Sequence, residues 1–286
     1  MNKKMLMVVV GETYRHCRHT RGSEESFQLQ QIATQSHLDF IDVVGERLGI
    51  EIDVCLYVYT MSQDWDNKFV QSYGDKLKFS KILHRPRLGE SVLQSRCLEA
   101  IRDKNLKDKG YDGILFIRPD LFLKDYFKET FVACDNKVTF AHVNEMHSSS
   151  DHCGGQKANT LGDLLCPVPD DADRSLPAVC HQIFYVPKKF FNLLLENKLW
   201  KMHLSYYECL KHLSKDEISF FIDTFHSSCT GITWNPLYCQ VNRDKQCEKW
   251  PDEGWRFDYE KLTPKFTGEK MYTDLSRKKP YQSTRG

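Results

Sequence analysis

The sequence predicts an α/β fold with one mixed, largely parallel sheet flanked by helices in a single domain. Short runs of β-branched and aromatic residues alternate with longer stretches of helical spacing, and the first three segments predict strand, helix and strand. A connection of this kind places two parallel strands together with the helix on one face. The chain has 286 residues, 41% of them hydrophobic, which is enough to build one such domain around a large core.

The amino-terminal half shows this alternation most clearly. Met5 to Val10 predicts the first strand, and Ile52 to Tyr59 predicts the second, because β-branched and apolar residues dominate both runs. Between them, Ser23 is predicted to cap a helix that Gly49 ends. The further elements predicted in this half are a helix at 64–73, a strand at 76–83, a helix at 91–107, a strand at 113–117, an amphipathic segment at 121–131 and a strand at 138–143.

The composition of the chain changes after residue 143. Residues 144–178 are polar and rich in Ser, Gly, Asp and Pro, which is typical of a functional or disordered loop. From about residue 242 onward the chain is again polar, with scattered aromatic residues, and we expect it to wrap the domain. The elements predicted between these stretches are a strand at 180–186, a helix that begins at Pro187, helices at 201–213 and 216–225, and a strand at 231–238.

The charge balance and the cysteines restrict the partners and the compartment. Forty basic and 39 acidic residues leave a net charge of +1, which argues against nucleic-acid binding through a strongly basic surface. The eleven cysteines are an odd number without a Cys-x-x-Cys pair, as in a reduced interior. The apolar run after Met5 is too short for a membrane span. We therefore expect a soluble, cytoplasmic protein with no transmembrane segment.

The most informative segment is the predicted strand Gly113–Ile117, whose apolar run stops abruptly at Arg118, Pro119 and Asp120. Pro119 has no backbone donor, so the strand ladder must end there. Ligands of open α/β sheets bind outside the carboxyl ends of the strands. A carboxylate at this position is a candidate ligand for a divalent cation, which prefers oxygen. The alternative is a strand-ending turn with a surface ion pair.

With this motif the chain resembles the GT-A-type glycosyltransferases, in particular the small glycan-building enzymes of microbes and large DNA viruses. In that family a strand ends in an acidic motif, usually Asp-any-Asp, that holds Mn²⁺ or Mg²⁺ against the diphosphate of a sugar nucleotide. Here Arg118 stands where the first Asp would be, as in members with Arg-Pro-Asp-Leu. The resemblance implies Asp120 as the metal ligand, and Arg118 is an alternative contact to a phosphate.

The resemblance also implies a division of the domain. Residues 1–240 are expected to form a GT-A-like, Rossmann-type catalytic domain, with a donor-binding half at 1–143 and an acceptor-binding half at 144–240. Residues 241–286 are the polar extension. The stretch 144–178 is then a candidate lid that closes over the donor.

The basic loop after the first strand holds the nucleotide in the resembling family. The resemblance therefore implies donor contacts from Gly11, Glu12, Thr13, Tyr14, Arg15 and Arg21. The arginines, Arg18 included, are expected to offset the diphosphate charge, and Tyr14 or His16 to stack on the base. A solvated basic loop is the alternative.

Asp216 and Glu217 are the candidates for the catalytic base. In inverting members of the family an Asp or Glu near the acceptor takes the proton from the attacking hydroxyl, and this acidic pair follows the His181–Tyr185 stretch at a similar interval. The alternative is helix capping, because Ser214, Asp216 and Glu217 all favour a helix amino end.

Histidines and cysteines leave two further hypotheses open. One of His142, His147 and His226 is expected to complete a Mn²⁺ site, and the sequence does not choose among them. A zinc staple is the other hypothesis, although its spacing has no close ligand pair. Its candidate ligands are His152, Cys153, Cys166, Cys180 and His181.

The resemblance implies an enzyme, a hexosyl- or pentosyltransferase. It is expected to move a sugar from a nucleotide-sugar donor to a hydroxyl of a glycan or glycoprotein, with help from Mn²⁺ or Mg²⁺. The expected donor is a uridine diphosphate sugar such as UDP-xylose, UDP-glucose or UDP-galactose. The alternative is a non-catalytic glycan-binding or scaffold protein that has kept the fold.

Overall fold

The strands and helices come from a computed structural model, which describes residues 3–16, 20–21, 24–59, 61–83, 90–105, 109–144, 179–180, 182–200, 204, 206–221, 225–226, 237–240, 255–258 and 263–266. Its strands are β1 (Lys3–Gly11), β2 (Arg15–His16), β3 (Thr20–Arg21), β4 (Ile50–Tyr59), β5 (Leu77–Leu83), β6 (Gly113–Ile117), β7 (Leu121–Leu123), β8 (Val138–Phe140), β9 (Val143–Asn144), β10 (Ile183–Pro187), β11 (Ile218–Phe220), β12 (Phe225–His226), β13 (Tyr238–Gln240), β14 (Trp255–Asp258) and β15 (Thr263–Phe266). Its α-helices are α1 (Glu24–Leu48), α2 (Gln63–Ser72), α3 (Glu90–Asp103), α4 (Asp125–Thr130), α5 (Phe191–Leu195) and α6 (Tyr206–Cys209).

The main sheet is mixed, as the sequence predicted. Within the described ranges, seven strands are ordered β11-β8-β10-β6-β1-β4-β5. The strands β5, β4, β1 and β6 run parallel to one another, β10 is antiparallel to both β6 and β8, and β11 runs parallel to β8. The carboxyl ends of β1, β4, β6 and β8 therefore meet at one edge of the sheet, which we call the carboxyl edge.

Both faces of the sheet are covered, which explains its continuous apolar runs. Along β1, Met7 and Val9 face the side packed by α1, whereas Val8 and Val10 face the side packed by α3. Gly49 ends α1 with a φ of +63°, a conformation that favours glycine. The predicted elements up to residue 117 are thus confirmed, apart from shifts at their ends and the cap at Ser23, which lies outside the described residues.

Three predictions for the later chain need correction. The predicted helix at 216–225 is a 3₁₀ turn at Lys215–Glu217 followed by β11, because residues 218–220 find a parallel ladder partner in β8. The amphipathic segment at 121–131 divides into β7 and α4, and the predicted helix at 201–213 is described only as the short α6. Of the predicted strand at 231–238, the described part is Leu237 and the start of β13, which pairs with β7.

Several other predictions concern residues that the structure does not describe. The loop at 144–178 and most of the candidate zinc ligands are among them, and within 241–286 only β14 and β15 are described, paired with each other. The domain division therefore stays a prediction. None of the described helices is long and apolar enough to cross a membrane.

The edge opposite to the carboxyl edge carries a buried carboxylate on β4. Tyr111 donates a 2.8 Å hydrogen bond to Asp53 Oδ2, and Lys4 Nζ and Lys78 Nζ lie 2.9 and 3.3 Å from the two oxygens. Burial by itself would raise the pKa of Asp53, but the hydrogen bonds from Lys4 and Tyr111 and the charges of both lysines lower it below its usual value. This cluster joins β1, β4 and β5 with the segment before β6.

Replacing Asp53 with Asn is expected to lower the free energy of unfolding at neutral pH by roughly 1–3 kcal/mol, because two lysines lose a buried partner. The folded-state pKa of Asp53 lies below its unfolded value, near 3.8, so its stabilisation is present above that pH and is lost as the pH falls through the folded pKa. Urea titrations at neutral and acidic pH measure both effects. Glu51→Gln, which alters an exposed partner of Lys4, is the control, and an equal loss in both variants would contradict the assignment.

Candidate functional site at the carboxyl edge

The crevice between the carboxyl ends of β1 and β6 lies where the chain changes direction across the sheet. From β1 the chain proceeds to β4 and β5 on one side and then returns to β6 on the other side. Ligands of open α/β sheets bind at such a topological switch point. The two segments that the sequence singled out, the loop after β1 and the Arg118–Asp120 turn after β6, both begin there.

The loop after β1 and the turn after β6 touch each other at Gly11 and Pro119. Gly11 has a φ of +144°, and a Cβ on it would lie 2.9 Å from Pro119 Cδ, so no larger residue fits without a shift. Thr13 is fully buried and donates a 3.1 Å hydrogen bond to the carbonyl of Tyr59 at the end of β4. The roles of Gly11 and Thr13 seen here are structural, and a donor contact from them stays a prediction.

Gln30 on α1 joins the same two segments by hydrogen bonds. Its Nε2 donates to the carbonyl of Pro119 at 2.8 Å, and its Oε1 accepts from the backbone N–H of Tyr14 at 3.1 Å. The side chain is buried, so these bonds satisfy backbone groups that water does not reach. Gln30 is not among the residues predicted from the sequence, although the polar residues 30, 34 and 37 recur at helical spacing on a face of α1 that also carries Phe27 and Ala33.

Two further residues of α1 hold the backbone beyond the turn. His37 Nε2 donates to the carbonyl of Leu121 at 2.8 Å while its Nδ1 accepts from the hydroxyl of Tyr73 at 2.9 Å. The hydroxyl of Ser36 accepts from the N–H of Leu123 at 2.9 Å. Burial lowers the pKa of His37 to about 4, although the Leu121 carbonyl and the charge of Asp120 act in the opposite direction. His37 is therefore neutral in the folded protein, with its proton on Nε2 for the Leu121 carbonyl, and residues 121–123 stay extended.

Arg118 and Asp120 form a two-pronged ion pair within the turn. Arg118 Nε donates to Oδ1 at 2.9 Å and Nη2 donates to Oδ2 at 2.6 Å, so the guanidinium contacts both carboxylate oxygens. Such a fork is the strongest geometry for this pair of groups. Asp120 itself is almost completely buried.

The buried hydroxyl of Tyr238 is affected by the charges of this ion pair. The hydroxyl of Tyr238 is 3.4 Å from His142 Nε2 and 3.5 Å from Cys180 Sγ. Burial and Cys180 raise the pKa of Tyr238 well above its usual value, the charge of Arg118 lowers it by a smaller amount, and the charge of Asp120 adds to the rise. His142 is thus linked to the turn through Tyr238. Of the other two histidine candidates, His147 lies outside the described residues and His226 is described only by its backbone pairing in β12.

The structure corrects the expectation that Tyr14 stacks on a base. Its ring is buried and parallel to that of Phe27 with centroids 6.0 Å apart, and the rings of Trp65 and Phe69 also pack against it. Its hydroxyl donates to the carbonyl of Trp65 at 2.5 Å. Tyr14 therefore anchors the loop from inside.

The rest of the basic loop is described mainly by its backbone. Arg15 and Arg21 are cross-strand partners in the β2–β3 ribbon, while Arg18 lies outside the described residues. The side chain of Glu12 is partly exposed at the end of β1. Donor contacts from Glu12, Arg15 and Arg21 stay predictions.

Asp216 and Glu217 lie at the wrong edge of the sheet to act beside Asp120. They precede β11, which is parallel to β8 with Ile218 opposite Val138, so they lie at the amino ends of these strands. Glu217 instead caps its own turn through Ser214 and pairs with Lys189 Nζ at 2.5 Å, and Lys189 is the main cause that lowers its pKa. Helix capping therefore explains Glu217, and the strand direction argues against a catalytic role for either residue beside Asp120.

The separation of the two sites follows from the sheet geometry. Asp216 and Glu217 lie at least four residues nearer the amino ends of the strands than Asp120 does. At 3.3 Å per residue this corresponds to roughly 13 Å. Three strand spacings also separate β11 from β6, or roughly 14 Å across the sheet. Asp120 and the Asp216–Glu217 pair are therefore too far apart to act on the same bond of one substrate.

The described residues do not fit the expected Mn²⁺ or Mg²⁺. Both oxygens of Asp120 face the guanidinium of Arg118, whose positive charge opposes a second cation at the same oxygens. The described part of the chain also holds no group of three His, Cys, Asp or Glu residues arranged for a metal ion. A metal role for Asp120 therefore stays a prediction and requires the ion pair to open.

Solved structures with a similar arrangement include several transferases. A protein from Desulfovibrio desulfuricans G20, provisionally named a nucleotide-diphospho-sugar transferase, is 14% identical, with 82% of this chain and 85% of that chain covered and a TM-score of 0.44. The 4-diphosphocytidyl-2C-methyl-D-erythritol synthase of Anaerococcus prevotii DSM 20548 is 9% identical, with 79% and 90% covered and a TM-score of 0.45. A glycosyltransferase involved in the glycosylation of the major capsid of PBCV-1 is 9% identical, with 86% and 96% covered and a TM-score of 0.39.

No protein-family model and no curated protein match the chain. All three TM-scores are below 0.5. The fold class therefore follows from the strand order and the strand pairing of this chain.

Gln30→Ala is expected to lower the free energy of unfolding by roughly 1–3 kcal/mol, because the buried N–H of Tyr14 and the carbonyl of Pro119 both lose their partner. Urea unfolding measures the change. Gln35→Ala, which removes an exposed hydrogen bond to Asp39 on the same helix, is the matched control and should stay within about 0.5 kcal/mol of the wild type. Equal effects in the two variants would contradict the linking role of Gln30.

His37 makes the stability depend on pH in a defined window. In the unfolded chain it takes up a proton below its usual pKa of 6.5, whereas in the folded protein it stays neutral until about pH 4. The free energy of unfolding should therefore fall between these values by roughly 3 kcal/mol. Urea titrations across this window should show a shallower fall in His37→Gln, and identical pH profiles of the two proteins would rule the assignment out.

Proposed function

We propose that the chain is a glycosyltransferase whose donor is a nucleoside diphosphate sugar. The observation that carries the proposal is the meeting of the loop after β1 with the Arg118–Asp120 turn at the switch-point crevice. Such crevices bind nucleotides in open α/β sheets. The partly exposed side chain of Arg118 on one side and a loop whose sequence contains Arg15 and Arg21 on the other suit an anionic diphosphate.

The reaction exchanges one bond to the anomeric carbon of the sugar. A bond forms between that carbon and the oxygen of an acceptor hydroxyl, while the bond from the carbon to the diphosphate oxygen breaks. The nucleoside diphosphate leaves with the bonding electron pair, and the hydroxyl proton passes to a base or to water. Positive groups at the crevice stabilise the charge that develops on the leaving diphosphate. We assign this task to Arg118.

The finer assignments belong to the same proposal. The donor is a uridine diphosphate sugar such as UDP-xylose, UDP-glucose or UDP-galactose, and the acceptor is a hydroxyl of a glycan or glycoprotein. Residues 1–143 bind the donor and residues 144–240 the acceptor. Gln182 directly precedes β10, whose amino end lies between the carboxyl ends of β6 and β8, and it is buried, which makes it a candidate to border the acceptor side of the crevice.

Donor binding is expected to raise the melting temperature, because a ligand at 100 times its Kd adds about 2.7 kcal/mol to the folded state. Thermal shift with UDP-xylose, UDP-glucose, UDP-galactose and their GDP, CDP and ADP counterparts, each with Mn²⁺ and with EDTA, identifies the nucleotide. Release of the nucleoside diphosphate on addition of glycan acceptors then tests transfer. If glycans bind and no nucleotide sugar does, the result contradicts the proposed enzyme and supports the non-catalytic glycan-binding alternative.

Asp216→Asn and Glu217→Gln are expected to keep the transfer rate within about threefold of the wild type, because both groups precede β11 at the edge opposite to Asp120. Glu217→Gln should still be slightly less stable than the wild type, because it loses the charged cap on Ser214. Initial rates of nucleoside diphosphate release measure the first effect. A loss of transfer above about 100-fold in either variant, with the fold intact, would restore it as the catalytic base.

A further inference from the structure

We propose that Arg118, oriented by Asp120, is the resident cation of the donor site, so that the diphosphate binds without a divalent metal. The inference rests on the proposed function and specifies how the donor is held. It reverses the roles that the sequence motif suggested. Arg118 contacts the ligand, and Asp120 is a positioning residue that acts through Arg118.

Arg118 is more exposed to solvent than Asp120. The side chain of Asp120 is 2% exposed, whereas that of Arg118 is 21% exposed, so Arg118 is the member of the pair that a ligand can reach from the solvent. A metal ion that bridges a protein carboxylate and a diphosphate needs that carboxylate at the surface of the crevice. The group that this turn presents to the crevice is instead a cation.

The geometry of the ion pair carries the second step. Arg118 uses Nε and Nη2, one edge of its planar fork, for the two oxygens of Asp120. This arrangement fixes the plane of the guanidinium, which leaves less conformational freedom to lose when an anion binds. A carboxylate that orients a ligand-binding group in this way has the role that outer-shell carboxylates have at metal sites.

The turn that contains Asp120 is held rigidly by its neighbours. The backbone on both sides of Asp120 is fastened to α1, through Gln30 at Pro119 and His37 at Leu121, and Gly11 packs against Pro119. A cation held by a preorganised backbone stabilises a developing negative charge without reorganising at the moment of reaction. A metal ion could bind Asp120 only after the Arg118–Asp120 ion pair had opened. Breaking a buried ion pair in this way is costly, because the buried carboxylate first loses its partner.

The charge balance indicates what completes the site. A diphosphate ester carries about two negative charges, whereas Arg118 and Asp120 together are neutral. Arg15 and Arg21 are backbone partners across the β2–β3 ribbon of the loop after β1, so this loop carries two further basic residues in its sequence. Nucleotide binding that depends on arginines should weaken with ionic strength.

The test is isothermal titration calorimetry of the full chain with UDP, or with whichever of GDP, CDP and ADP binds in a first screen, in EDTA and in Mn²⁺. We expect the two Kd values to agree within about threefold. Arg118→Gln should weaken binding in EDTA by roughly 10- to 100-fold, and Arg118→Lys, which keeps the charge but loses the fork, should recover only part of the loss.

Lys3→Gln is the matched control, because it removes one exposed positive charge at the opposite edge of the sheet and should leave the Kd unchanged. The positioning role of Asp120 is tested by a double-mutant cycle. Arg118→Gln should have a smaller effect in an Asp120→Asn background than in the wild type, and the Kd ratio between EDTA and Mn²⁺ should stay near one in Asp120→Asn. Thermal unfolding verifies that each variant folds.

The outcomes separate the inference from the proposed function. Binding that requires Mn²⁺ and is lost in Asp120→Asn overturns the inference and leaves the proposed glycosyltransferase intact. Independent effects of Arg118 and Asp120 overturn the positioning role of Asp120. Failure of every nucleoside diphosphate to bind, with and without Mn²⁺, overturns the proposed function itself.

Discussion

The hydrogen bonds from one face of α1 to the backbone of residues 119–123 are the constraint on which the candidate site depends. Gln30, Ser36 and His37 satisfy backbone groups that neither a helix nor the main sheet satisfies. Since α1 also connects β1 to β4, the same helix builds the sheet and positions the turn after β6. The site is therefore held by the first βαβ unit, and mobility of the loops has less influence on the place of Asp120.

The two edges of the sheet divide stability from chemistry. At one edge, Asp53 collects Lys4, Lys78 and Tyr111 into a cluster that joins three strands and the segment before β6. At the carboxyl edge the polar groups belong to loops that follow strands, where a ligand has access. Strand direction decides to which edge a residue belongs, and this is why Glu217 is a cap and an ion-pair partner despite its acidic neighbour.

The Arg118–Asp120 pair shows how the residue two positions before a buried carboxylate decides the charge of a turn. Two neighbouring carboxylates repel each other and are relieved by a divalent cation, whereas an arginine and a carboxylate neutralise each other directly. The guanidinium is moreover the more exposed member. The charged side chain of this turn that solvent reaches more readily is thus positive.

The sequence by itself determined the long strands β1, β4, β5 and β6, because their apolar runs and the proline after Ile117 are local signals, and from these followed the α/β class and the place of the Arg118 motif at a strand end. Most of the candidate site was decided only by the tertiary structure. The ladder partner of residues 218–220 is 80 residues distant, the ring of Tyr14 is buried by α1 and α2, and Gln30 meets Pro119 across 89 positions. Long-range pairing and burial have no local signature, so a pattern of residue types cannot assign them to one edge of the sheet or the other.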